Sequence, residues 1–264
     1  MDLFVRESGP ARAPAIVFLH GAYTSGWSWE AVVERMQQYR CLVPDLPHFG
    51  KSFELGPFDM GRAAGLVAEL IRSRVRAGRA HIVGLSLGAQ VGVQLLATEP
   101  ELVDRAVLCG TFVNTLPFAE LTRRLVALPA RNPIYRWMVR QHRNAWQAKV
   151  PRARLDDYRD DVRLITSGQL ADVIMAAAGF TIPEELCKSE SPTLFVTGSK
   201  ELPSARRWAA VLARQMPHGV NRVAVGMPHD WPTHYPDLFA RTLDAWLADS
   251  VLPPEIARPK PVRH

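Results

Sequence analysis

Residues 81–97 read His81-Ile-Val-Gly-Leu-Ser-Leu-Gly-Ala-Gln-Val-Gly-Val-Gln-Leu-Leu-Ala97, and this stretch decides the architecture. His81-Ile-Val83 has the look of a short buried strand, and Ala89 to Ala97 carries apolar residues at helical spacing. Between them stands Gly84-Leu-Ser-Leu-Gly88, a G-x-S-x-G. A serine on a strand-to-helix turn this tight is pushed out of the sheet, and glycine on either side lets the backbone approach closely. The helix start behind it leaves unpaired N–H groups where negative charge on an oxygen is stabilised. Ser86 is therefore a candidate nucleophile.

Working outward, the same alternation recurs. Ala15-Ile-Val-Phe-Leu19, Cys41-Leu-Val-Pro44, Val103 to Leu108, Thr193-Leu-Phe-Val196 and Arg222-Val-Ala-Val225 are apolar runs of the kind found in strands buried on both faces. Trp27 to Gln38, Met60 to Arg76, Ser204 to Gln215 and Pro236 to Ala248 have helical periodicity. Strands alternating with helices predict a parallel sheet with helices on both faces. A short strand, Leu3 to Arg6, precedes the rest, so the sheet is expected to hold seven or eight strands. The alternation fails between Phe112 and Glu185, where helical periodicity is interrupted by Pro117, Pro129, Pro133 and Pro151. A connection of that length is expected to be a helical insertion, not a bare loop. The reading is an α/β core over 1–111 and 186–250, a helical cap over 112–185, and a Pro-rich tail over 251–264, disordered or loosely docked.

Composition narrows the class. The 264 residues include 47% hydrophobic and 22% charged side chains, ordinary values for a folded chain. No apolar run approaches ~18 residues, and no apolar segment follows the N-terminal Met-Asp-Leu-Phe, so a cytoplasmic location without membrane contact is expected. The net charge is +6, and nine Lys or Arg fall between Glu120 and Leu155. No nucleic-acid motif accompanies them, which makes a solvated helix face the better reading. Cys41, Cys109 and Cys187 are odd in number and sit in or beside apolar stretches, as small buried hydrophobes do.

Four further segments complete a pattern. His20-Gly21-Ala22 follows the Ala15–Leu19 strand, and Asp45-Leu-Pro-His-Phe-Gly-Lys-Ser52 follows the next. Gly198-Ser-Lys-Glu201 and His229-Asp-Trp-Pro232 follow the last two strands. With the G-x-S-x-G, these resemble the α/β-hydrolase fold family over nearly the whole chain. The D-x-P loop departs from the family's form, with His48 where glycine is usual. The resemblance implies an α/β-hydrolase fold with a mostly parallel central sheet and an inserted helical cap. It also implies a catalytic order Ser…acid…His. His229 is the expected base, because His218 precedes the last strand, His234 opens the final helix and His264 is terminal. His20 is expected to hold its loop in place. Glu201 is the expected acid, where the family usually has aspartate. Asp230 and the segment Thr111–Asn114 are the alternatives. The backbone N–H groups of Leu87 and Ala22 are expected to form the oxyanion hole.

Tyr23, Trp27 and His48 lie in loops at strand C-termini, where open α/β sheets bind ligands. In the cap, Trp137, Met138 and Trp146, with Met175 and Phe180, are candidates to line the substrate pocket. The expected activity is hydrolysis of a small or medium carboxylic ester, without cofactor or metal, by a monomer or homodimer. Thioester, lactone, amide or carbon–carbon cleavage and peracid formation need the same serine. A receptor-like protein keeping the fold without turnover is the reading from another class.

Overall fold

The computed structural model describes residues 2–113, 150 and 152–259. Eight strands are laid out along the described residues. They are β1 (Val5–Ser8), β2 (Ala15–Leu19), β3 (Arg40–Pro44), β4 (Ala80–Leu85), β5 (Val103–Cys109), β6 (Thr193–Gly198), β7 (Gly219–Ala224) and β8 (Ile256–Ala257). They form one sheet in the order β1-β3-β2-β4-β5-β6-β7-β8. The inner pairs are parallel, and only the edge strands β1 and β8 run antiparallel to their neighbours.

Among the described residues the α-helices are α1 (Glu30–Val33), α2 (Met60–Arg74), α3 (Leu87–Thr98), α4 (Leu155–Leu164), α5 (Ser167–Ala178), α6 (Pro203–Gln215), α7 (Trp231–His234) and α8 (Pro236–Leu247). Alternating side chains of each strand feed two cores. Val17, Leu19, Ile82 and Leu108 pack with α2, α3 and α6 on one face. Ile16, Phe18, Val83 and Val107 pack with α1, α7 and α8 on the other. All eight of these strand residues are within 1% of full burial. Each such side chain is worth about 1.5–3 kcal/mol against water, which is why the apolar runs have no polar alternation.

Local chemistry sets the helix starts. The Asp59 carboxylate accepts from Arg62 N–H at 2.9 Å and caps α2. Thr166 and Gln169 cap α5 reciprocally, each side chain bonding the other's backbone N–H. No strand occurs among the described residues between β5 and β6, where α4 and α5 lie.

Three details differ from the sequence expectation. The tail is not loose throughout, because Ile256 and Ala257 pair with Ala224 and Val223 and supply the eighth strand. The helix expected over Trp27–Gln38 is a 3-10 turn, Gly26–Trp29, followed by the single turn α1. Cys187 is exposed, whereas Cys41 and Cys109 are buried. Among the described residues no helix is long and apolar enough to cross a membrane.

Candidate active site

Ser86 sits between the C-terminal end of β4 and the first residue of α3, with φ 55° and ψ −111°. A serine rarely adopts a positive φ, and such a conformation persists only where its surroundings hold it. Here the Ser86 N–H donates to Cys109 O at 2.8 Å, and Ser86 O accepts from Gln90 N–H at 3.1 Å. The flanking glycines are steric necessities. A Cβ on Gly84 would meet Gly88 O at 2.6 Å, and one on Gly88 would run into the Leu19 carbonyl. Leu87 opens α3, so its N–H has no carbonyl partner within the helix. The loop after β2 lies against this turn, with the Gly21 Cβ position 3.7 Å from Ser86 Cβ.

That loop is held from behind by His20. Its Nε2 accepts from Leu46 N–H at 2.9 Å, and its Nδ1 donates to Gly21 O at 2.8 Å. Complete burial pushes the His20 pKa down to about 4, which keeps the ring neutral in the tautomer these two bonds require. Asp45, fully buried in the next loop, accepts from Arg6 at 2.6 Å, Gly26 N–H at 2.8 Å and Lys51 N–H at 2.9 Å.

On the other side of Ser86 stands a hydrogen-bonded pair. His229 Nδ1 lies 2.6 Å from Glu201 Oε2, and Glu201 Oε1 accepts from Gly198 N–H at 2.6 Å. Both carboxylate oxygens are thus engaged, and the Glu201 side chain is only 5% exposed. The aspartate alternative is directed elsewhere, since Asp230 Oδ2 lies 3.8 Å from His234 Nε2. Thr111 is buried beside β5, and Asn114 lies outside the described residues. Gly110, with φ +60°, packs directly under the imidazole: a Cβ there would stand 2.5 Å from His229 Cε1.

Ser86 and His229 face one cavity of about 340 Å³, with Ala22, Tyr23 and Trp27 also in its described walls. A model of the alpha/beta hydrolase family matches residues 16–242, most of the chain. The chain belongs to the alpha/beta hydrolase family. An AB hydrolase superfamily protein of Gibberella zeae is 26% identical over 95% of this chain and 86% of its own length. A pimeloyl-(acyl-carrier protein) methyl ester esterase of Yersinia enterocolitica is 24% identical, covering 86% of this chain and 90% of that protein. Among solved structures, a thermophilic esterase from Thermogutta terrifontis superposes with a TM-score of 0.76 at 21% identity, over 94% of this chain and 93% of that one. The enol-lactonase from Burkholderia xenovorans superposes at 0.75 and 22% identity, over 93% and 96%. At such identities the solved structures establish the alpha/beta hydrolase fold.

Of the side chains singled out for substrate contact, Tyr23 and Trp27 do line the cavity. His48 does not. It is 4% exposed, and its Nδ1 contacts Gln169 Nε2 of α5 at 3.3 Å. Its place in the D-x-P loop thus ties that loop to α5. Phe180 is buried in the core beneath α3, and neither it nor Met175 is among the cavity's described walls. Trp137, Met138 and Trp146 lie outside the described residues, as does most of the arginine-rich stretch. The sequence does not mark several of the wall residues, Arg154 and His234 among them. Arg154 reaches the cavity while paired with Glu30 and Asp157. His234 ends the one-turn α7 instead of opening α8, and that turn aims it at the cavity.

Proposed function

We propose that this alpha/beta hydrolase is a cofactor-free serine hydrolase that cleaves a small or medium carboxylic ester through an acyl-enzyme. The observation that carries the reading is the 2.6 Å contact between His229 and Glu201 beside a cavity that Ser86 shares. A carboxylate on Nδ1 fixes the tautomer in which Nδ1 carries the proton and Nε2 is free to accept one.

In the proposed cycle, His229 Nε2 takes the Ser86 hydroxyl proton as Oγ attacks the ester carbonyl carbon. The carbonyl oxygen becomes an oxyanion that accepts from the backbone N–H groups of Leu87 and Ala22. Collapse expels the alcohol, which leaves with the proton held by His229. Water then attacks the acyl-enzyme, giving its proton to His229, and the acid departs as Oγ regains a proton. Glu201 stays ionised throughout and stabilises the imidazolium at each half-reaction.

Cavity size and lining support the substrate size. About 340 Å³ is near the lower end for small-molecule sites, and Ala22, Tyr23, Trp27 and Leu85 make much of the wall apolar. The insertion serves as a lid in this reading, since Val150 and Arg154 line the same cavity and Asp161 of α4 accepts from Trp27 Nε1 at 2.6 Å. The names of the esterase and lactonase relatives agree with an ester bond. The test is kcat/KM over p-nitrophenyl esters of increasing acyl length, with a lactone and a thioester beside them. Hydrolysis that falls off with chain length is expected. No hydrolysis of any ester above the buffer rate would overturn the reading.

A further inference from the structure

A second cavity, of about 770 Å³, opens at the end of the sheet opposite Ser86. Its walls come from the N-terminal ends of the strands and the turns that enter them. Arg12 stands on the β1–β2 loop, Arg40 at the start of β3, and Arg76 and Arg79 on the turn between α2 and β4. His81 of β4 and Asp104 of β5 complete the polar lining, and Asp104 is its one carboxylate.

The four guanidinium groups are not equivalent. Arg40 is held on three sides: its Nε and Nη2 each lie 2.7 Å from Glu7 Oε1, and its Nη1 donates to Arg74 O at 2.6 Å. Arg79 donates to Val103 O at 2.9 Å and stands 3.8 Å from Asp104. Arg12 and Arg76 meet no carboxylate among the described residues. The cavity's arginines thus exceed the carboxylates beside them by two among the described residues. His81 is 7% exposed, and its buried Nδ1 stands 3.5 Å from Asp104 Oδ2. Burial pushes its pKa down, so the ring adds no third cation to the cavity.

We infer that this cavity binds a compact organic polyanion, a small phosphorylated molecule carrying two or more negative charges. Guanidinium presents paired N–H donors that match two phosphate oxygens at once, and binding neutralises the two unpaired cations. The volume lies within the range of small-molecule sites. Ala11, Ala13, Pro14 and Val75 supply an apolar wall for the organic part. The inference is independent of the ester chemistry, because no residue of this cavity lines the other.

The experiment is isothermal titration of the full chain with inorganic pyrophosphate, for wild type and for the Arg12→Glu, Arg76→Glu double variant. Saturable binding of one pyrophosphate per chain is expected, weakened at least about tenfold in the variant. Melting temperature and p-nitrophenyl ester hydrolysis, read on both proteins, show that the variant is folded and that the far end of the sheet is undisturbed. Absence of binding to wild type overturns the inference, and so does binding that the double variant retains. Binding reproduced by chloride at equal ionic strength does the same. Attachment to duplex DNA that pyrophosphate does not displace would assign these arginines to a macromolecular polyanion and overturn the small-molecule site.

Discussion

Replacing Gly110 by alanine tests the site through a residue that bears no reactive group. The new Cβ would lie 2.5 Å from His229 Cε1 and 2.7 Å from Nδ1. Carbon atoms pack at about 3.5–4.0 Å, so the imidazole must retreat by about 1 Å or rotate off Glu201. A misplacement of about 1 Å in a catalytic group costs on the order of 10² in rate, about 2.7 kcal/mol of transition-state stabilisation. Alanine at φ +60° adds backbone strain of about 1–2 kcal/mol, which appears as lost stability. Gly78→Ala separates the two effects, since Gly78 has φ +70° but open space around its Cβ position. Gly78→Ala is expected to lower the melting temperature and leave kcat/KM unchanged. Gly110→Ala is expected to lower both, with kcat/KM for a p-nitrophenyl ester down about 100-fold. A folded Gly110→Ala enzyme within about threefold of wild type would refute the role given to the His229 position.

The other members of the site have their own signatures. His229→Ala should abolish hydrolysis; a folded variant within about threefold of wild-type kcat/KM contradicts a histidine base. Glu201→Gln should lower kcat by about 10²–10³, less than the roughly 10⁴ known for the equivalent change in a serine protease, with Glu201→Asp milder; activity within about threefold of wild type would move the acid elsewhere. Burial raises the Asp161 pKa from 3.8 to about 6, so the folded chain holds this proton more tightly than the unfolded one. The wild type therefore loses stability as pH rises from about 4 to about 6, by at most about 3 kcal/mol. Urea denaturation should find Asp161→Asn gaining on wild type across that window, and parallel pH curves would contradict it.

Much of this was legible because buried parallel strands leave a plain signal. Ala15–Leu19 has the bounds read from its apolar run, and the helices at Met60, Pro203 and Pro236 end within two residues of their periodic segments. β8 was missed because two paired residues in a Pro-rich tail carry no periodicity; their position is set by the edge of β7. Ser86, Glu201 and His229 were nominated by their places after strands, which sequence order encodes. Contacts between distant segments were not legible. Gly110 looks like any glycine ending a strand until His229 is found above it. His48 stands at a loop position suited to substrate, yet its neighbour is Gln169 from α5, 121 residues away. The Asp161–Trp27 bond spans 134 residues and has no local signature at all.

The central claim is that Ser86 is the nucleophile of an acyl-enzyme. It is tested most directly by treating the protein with a fluorophosphonate and locating the adduct by mass spectrometry of the digested chain. The expected result is one adduct per chain, on Ser86, with ester hydrolysis lost in proportion to labelling, and neither labelling nor hydrolysis in a folded Ser86→Ala variant. An adduct on another residue, or hydrolysis that survives in Ser86→Ala, would contradict the mechanism.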